Sequence, residues 1–332
     1  MARPGPNNDL TDIAGLSVGQ AEDAARRTGA TVVLCEAPAV AAVDVRGGGA
    51  CTRETDVMNP GGLVEAVDAL VLSGGSVYGL AAADGVCAAL GADGRGYGLF
   101  PSPGVPNSPI VPAACLYDLA NAGDKAWGAE PPYRDLGAAA YEAAKAGHGL
   151  RQGRAGAGYG AMAGTLAGAV GSASAVTEDG VIVAALVAVN CFGSVRMPNT
   201  EAFWAWPYEI DGEFGGARPP ADYALSPEDW GQAKLNPGAR TQTTLAVVAT
   251  DAALSRDETR RFCVMGQDGL ARAIRPVHSP FDGDVVFGLA TGAREINADI
   301  RPYQLTRLGS LAADCLARAV ARGVHAAAGQ GG

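Results

Sequence analysis

With 332 residues, 48% of them apolar and 18% charged, the chain is long enough for one large core or two smaller ones and too apolar to be disordered. A net charge of −10 excludes the basic surface that nucleic-acid binding demands. The longest apolar runs, such as 181–189, have the length of a strand and are too short to cross a bilayer.

The N-terminal segment is polar, with Asn7-Asn8-Asp9 in place of the apolar run of a secretory signal, and it reads as that of a soluble cytoplasmic protein. Residues 31–35 and 41–45 read as two short buried strands flanking a loop, with a sharp turn at Arg46-Gly47-Gly48-Gly49. A further strand at 69–72 runs into Ser73-Gly74-Gly75-Ser76. The alanine-rich spacing of 78–90 predicts a buried helix, and 135–146 a second one, with a proline-dense loop at 100–112 between them. Residues 153–174 are dominated by Gly, Ala and Ser and lead into a strong strand at 181–189.

Residues 196–240 differ in character. They hold six prolines and three of the four tryptophans without sustained periodicity, and read as a long irregular connection packed by its aromatics. Order returns at 243–250, a strand rich in β-branched residues. Ser255-Arg256-Asp257-Glu258 is a capping box opening a helix to about Ala273. A strand at 285–290 and a long amphipathic helix at 305–324 complete the chain. Strands and helices come in clusters with few strict alternations, so the fold class is α+β or a layered sheet sandwich. No internal repeat is present.

Seven cysteines are scattered singly, without CxxC, and fit reduced thiols. His148, His278 and His325 lie far apart and form no zinc-binding pattern, so no structural or catalytic zinc site is expected. The glycine-rich stretches at 73–76 and 153–160 lack the strand and following acid of a dinucleotide loop.

Thr243 stands at a loop-to-strand junction, where a sheet can hold a hydroxyl rigidly while the preceding peptide stays strainable. That suits an acyl shift from the Gln242–Thr243 bond onto the hydroxyl. Hydrolysis would then free an α-amine of pKa about 7.7–8.0 able to act as a base. Threonines also commonly begin strands, and spacing alone does not separate the two readings.

The motifs Val43-Asp44-Val45-Arg46-Gly47-Gly48, Thr52-Arg53-Glu54-Thr55-Asp56, 72–80, 109–112, Leu116-Tyr117-Asp118-Leu119, Gly171-Ser172-Ala173-Ser174, Val189-Asn190, 243–251 and Asp282-Gly283-Asp284 follow one another in a distinctive order. In that order they resemble the P1 family, peptidase family S58. This family includes the DmpA-type L-aminopeptidase/D-esterase, the β-peptidyl aminopeptidases and the 6-aminohexanoate-oligomer hydrolases. The resemblance runs from about Leu10 to about Val324.

It implies a layered αββα sandwich, a homo-oligomer (commonly a tetramer), and no cofactor. It also implies one self-processing domain over 1–332, giving chains of 1–242 and 243–332, that cleaves small peptides or ω/β-amino-acid oligomers. By position, Thr243 is the implied nucleophile and Asn190 the oxyanion donor. Tyr117 matches a catalytic tyrosine near the nucleophile, whose phenol can orient the substrate or the transition-state oxygen. Asp282 and Asp284 match a pair beside the nucleophile, one of which can hold the α-ammonium or tune its pKa. Backbone at Gly74, Gly75 and Ser76 would approach the substrate. His278 is near the aspartate pair in sequence, and Cys191 reads as a buried thiol.

The chain departs from the family pattern at two places. Gln242 precedes the nucleophile where relatives often have Asn or Gly, and 164–168 lacks the lysine that many members carry. N-acyl transfer of the ornithine-acetyltransferase type and a non-processing, non-catalytic homologue are the alternatives.

Overall fold

The structure is a computed structural model and describes residues 2–100, 102–234 and 243–330. Its strands are β1 (Leu16–Asp23), β2 (Thr28–Val45), β3 (Thr52–Arg53), β4 (Ala66–Ser73), β5 (Ala113–Cys115), β6 (Met162–Ala163), β7 (Leu166–Ala167), β8 (Ala169–Val176), β9 (Ile182–Val189), β10 (Leu245–Ala252) and β11 (Val285–Arg294). Its α-helices are α1 (Ala82–Ala92), α2 (Tyr133–Lys145), α3 (Arg256–Ala273) and α4 (Arg301–Ala328).

The main sheet runs in the order β3-β5-β4-β2-β11-β10-β9-β8, with β1 also paired to β2. β10 and β11 are parallel, as are β4 and β5, and the other pairs are antiparallel. β2 joins two layers. Its first half pairs with β1 and β4, and its second half, from Val40 to Val45, pairs with β11. The two strands expected at 31–35 and 41–45 are therefore one. The polar, exposed Glu36-Ala37-Pro38 between them marks a shift in the β4 register, which has the appearance of a loop in sequence.

Alternation along each strand divides the apolar residues between separate cores. On β10, Leu245, Val247 and Ala249 face a core between the two sheet layers, together with Leu186, Phe287, Leu70 and Leu72. Ala246 and Val248 face the opposite way, into a core shared with α3 and α4. On the far side, Val32, Ala69 and Val71 pack against α1 and α2. The result is the αββα sandwich expected.

Local signals explain several boundaries. Ser255 Oγ accepts from the Glu258 N–H and the Glu258 carboxylate accepts from the Ser255 N–H, which starts α3 where the capping box placed it. The helix expected at 78–90 opens with a 3-10 turn, Ser76–Ala81, and becomes α1 only at Ala82. The connection is pinned to α4 by Glu213, which accepts from the buried Arg318 at 2.6 and 2.9 Å, and by Phe203 and Phe214 in the helix-side core. No described helix is long and apolar enough to cross a membrane.

Candidate active site

Three strand ends meet at one edge of the inner layers. β9 stops at Val189 and is followed by Asn190, Thr243 and Thr244 lead into β10, and Asp282-Gly283-Asp284 leads into β11. Leu245 pairs with Ala188 on one side and with Val285 on the other, so these registers bring Asn190, Thr243 and the two aspartates together. The Thr243 N–H donates to the Asn190 carbonyl at 3.1 Å, and the Val285 N–H donates to the Thr244 carbonyl at 3.0 Å. All four residues are buried.

The Asn190 amide is clamped from both ends. Its Oδ1 accepts from the Met162 N–H at 2.9 Å and from Asn121 Nδ2 at 3.4 Å, while its Nδ2 donates to the Tyr117 carbonyl at 3.0 Å. A backbone donor at one end and a backbone acceptor at the other fix which atom is oxygen. Tyr117 thus meets Asn190 through its backbone carbonyl.

Asp118, the next residue, is a buried brace that motif reading did not single out. Its Oδ2 accepts from Thr28 Oγ1 at 2.6 Å and its Oδ1 from the Gly75 N–H at 2.8 Å, while burial pushes its pKa up. The Gly74 and Ser76 N–H groups donate to the Gly29 and Leu116 carbonyls, each at 2.9 Å. Of the three N–H groups expected near substrate, those of Gly75 and Ser76 therefore tie the 116–121 segment in place, while that of Gly74 holds the chain to the start of β2. Gly75 has φ +86°, and the Tyr133 ring occupies the space a Cβ would need.

The two carboxylates are held by different neighbours. Asp282 Oδ1 accepts from the Phe192 N–H at 3.0 Å, and its Oδ2 accepts from the Ser279 N–H and hydroxyl at 3.1 and 2.6 Å. Burial and the nearby charge of Asp284 nonetheless push Asp282 up to about 6. Asp284 Oδ1 accepts from the Thr244 N–H at 2.8 Å, and its Oδ2 faces His278. Between them lies Gly283, whose importance the Asp-Gly-Asp turn chemistry concealed. A Cβ there would stand 2.6 Å from Thr243 Oγ1 and 2.6 Å from the Gly49 carbonyl oxygen. The Thr243 hydroxyl is seated against this glycine.

The lysine-free stretch at 164–168 packs on the connection: the Thr165 N–H donates to the Gln232 carbonyl at 2.8 Å, and the Gly164 N–H to Cys191 at 3.1 Å. The connection brings Lys234, whose N–H donates to the Phe192 carbonyl at 2.9 Å. Burial pushes the Cys191 thiol up to about 12 despite the Lys234 charge, which leaves it a poor nucleophile. The Phe192 ring lies 5.7 Å from Phe281 and 6.1 Å from Trp230. Gln242, the other half of the expected cleavage site, lies outside the described residues.

Residues 8–332 match the profile of peptidase family S58. The chain belongs to this family. An uncharacterized aminopeptidase of Mycobacterium tuberculosis is 42% identical over 333 residues, covering 96% of this chain and 93% of the relative. A 6-aminohexanoate-oligomer endohydrolase of Kocuria sp. is 31% identical over 324 residues, covering 93% and 84%. Among solved structures, a Burkholderia sp. β-aminopeptidase superposes with a TM-score of 0.69 at 22% identity, covering 97% of this chain and 88% of the other. The L-aminopeptidase D-Ala-esterase/amidase of Ochrobactrum anthropi, described as a variant of the Ntn-hydrolase fold, gives 0.67 at 17%, covering 97% and 87%. The S58 chain is a hydrolase of peptide and related amide bonds, with the fold of this Ntn-hydrolase variant.

Proposed function

We propose that Thr243 is the nucleophile of this hydrolase and is freed as a new N-terminus by cleavage of the Gln242–Thr243 bond. The observation that carries this reading is the seat of Thr243. Its hydroxyl rests against Gly283, the residue between the two aspartates in the chain, and its nitrogen donates to the Asn190 carbonyl, where a future α-amine would be held.

In the processed enzyme the α-amine takes the hydroxyl proton as Thr243 Oγ1 attacks the substrate carbonyl. One Asn190 Nδ2 hydrogen is directed at Tyr117, and the second is the donor for the developing oxyanion. Collapse of the tetrahedral intermediate breaks the C–N bond, and the leaving amine receives the proton. Water then attacks the acyl ester and regenerates the hydroxyl. Asp282 and Asp284 orient this centre, while Gly75 and Ser76 brace the segment that holds Asn190 and Gly74 ties the same turn to Gly29.

The favoured substrates are small peptides or ω/β-amino-acid oligomers. The half-exposed Phe281 and Trp230 supply apolar surface near Asp282, which suits an amine on an apolar chain. The assembly we favour is a tetramer of cleaved 1–242 and 243–332 protomers in a single domain.

Intact mass and a denaturing gel test the reading directly. Wild-type protein should separate into fragments of about three-quarters and one-quarter of the chain, and Thr243→Ala should remain whole and inactive, with activity down at least about 10⁴-fold. Wild-type protein that stays uncut, or an active Thr243→Ala, would refute it.

A further inference from the structure

His278 is held in a conformation that a free loop residue would avoid. Its φ of +54° lies in the left-handed region, where a side chain crowds its own backbone. This conformation brings both its N–H (3.1 Å) and its Nδ1 (2.8 Å) onto one atom, Asp284 Oδ2. The other oxygen of Asp284 accepts from the Thr244 N–H at 2.8 Å. Asp284 is 1% exposed, so neither oxygen has bulk water as an alternative partner. In the neutral ring, donation from Nδ1 leaves a lone pair on Nε2, and that atom is buried without a hydrogen-bond partner.

A strained backbone and an unpartnered buried nitrogen at one residue are both unfavourable, and both follow from placing this imidazole on Asp284. We propose that His278 is a positioning residue of the hydrolase. It holds the second oxygen of Asp284, keeps the first on the Thr244 N–H, and so fixes Thr243 against Gly283. Without the imidazole, Asp284 can rotate about its Cβ–Cγ bond and release the first turn of chain before β10. The effect falls on the geometry of attack and therefore on turnover more than on substrate affinity.

This inference rests on Thr243 being the nucleophile, and the test separates the two. His278→Gly relieves the left-handed strain while deleting the imidazole, so thermal stability should be kept or raised while kcat falls on the order of 10²-fold with little change in KM. His278→Asn accepts the same backbone conformation and places an N–H donor near the position of Nδ1, so it should recover most of that loss. Rates are read with β-alanyl and L-alanyl p-nitroanilides, beside Thr243→Ala. An inactive Thr243→Ala together with a fully active His278→Gly overturns the role of His278 alone. An active Thr243→Ala overturns the nucleophile itself. The chain has three histidines, so ¹⁵N-histidine spectra assigned with His278→Asn give a readout independent of turnover. A protonated Nδ1 is expected at His278, and an Nε2–H tautomer would overturn the proposal.

Discussion

The two ends of β10 are built from the same kinds of residue and are treated differently. At its far end the Thr250 hydroxyl donates to the Ile182 carbonyl at 2.8 Å and accepts from the Ala252 N–H at 3.2 Å. Asp251 there accepts from the Ile182 N–H at 2.8 Å and is paired with Arg294 at 3.4 Å. At the near end, Thr244 Oγ1 is buried with no hydrogen-bond partner, two aspartates stand two residues apart, and one is pushed up to about 6. One end is satisfied and charge-balanced, and the other retains desolvated acid and an orphan hydroxyl. Folds tolerate such deficits chiefly where the chemistry needs them.

Replacing one polar side chain at each end sharpens that contrast most strongly. Asn190→Asp keeps an acceptor for the Met162 N–H but sets an acceptor against the Tyr117 carbonyl and removes the amide donor. Its kcat should fall by about 10²–10³-fold, as for loss of an oxyanion donor. Asp251→Asn retains the acceptor for Ile182 and should leave kcat unchanged, with at most about 1 kcal/mol lost with the Arg294 pair. Steady-state kinetics on both variants decide the matter. Equal losses would erase the distinction between the two ends.

Two glycines, one just before β11 and one near its far end, give a smaller test. A methyl on Gly283 would collide with Thr243 Oγ1 and with the Gly49 backbone, so Gly283→Ala should lower kcat on the order of 10²-fold by displacing the hydroxyl. Gly292 has φ +72° and open space around it. Gly292→Ala should cost roughly 1–2 kcal/mol in a denaturant melt, from the left-handed backbone alone, with normal turnover. A normal kcat in Gly283→Ala would mean that the hydroxyl is not seated where the chemistry occurs.

The same contrast marks what sequence could convey. β10, α3 with its capping box, α2 and α4 carry strong local periods or caps, and their positions were legible. β8 was not, because Ala169–Val176 is small-residue chain buried on both faces, between α4 and the inner core, and shows no alternation. β1 and the continuity of β2 were hidden by partly exposed, polar or proline-containing stretches. Thr243, Asn190, Tyr117 and the aspartates could be placed only through ordered resemblance. Asp118, Asn121, Gly283 and the contact of His278 with Asp284 depend on which strand ends meet, and no local pattern encodes that.

The smallest expected effect concerns stability against pH. Asp282 has an ordinary carboxyl pKa of 3.8 when unfolded and about 6 when folded, because burial and the charge of Asp284 outweigh the donors from Ser279 and Phe192. Between these values the folded state binds the proton more tightly than the unfolded chain does. The Asp282 contribution is therefore fully present below pH 3.8, is lost as pH rises through about 6, and is constant above that. Other acids run the opposite way: Glu258, held near 2 by Arg301, adds stability that fades only as pH falls. The informative quantity is thus the wild-type stability curve minus that of Asp282→Asn, measured by denaturant midpoint from pH 3.5 to 7. That difference should decline between about pH 4 and 6, whereas the matching difference for Glu258→Gln should not. A flat difference for Asp282 would mean that its carboxyl is not the desolvated member of the pair. The near end of β10 would then be as well balanced as the far one.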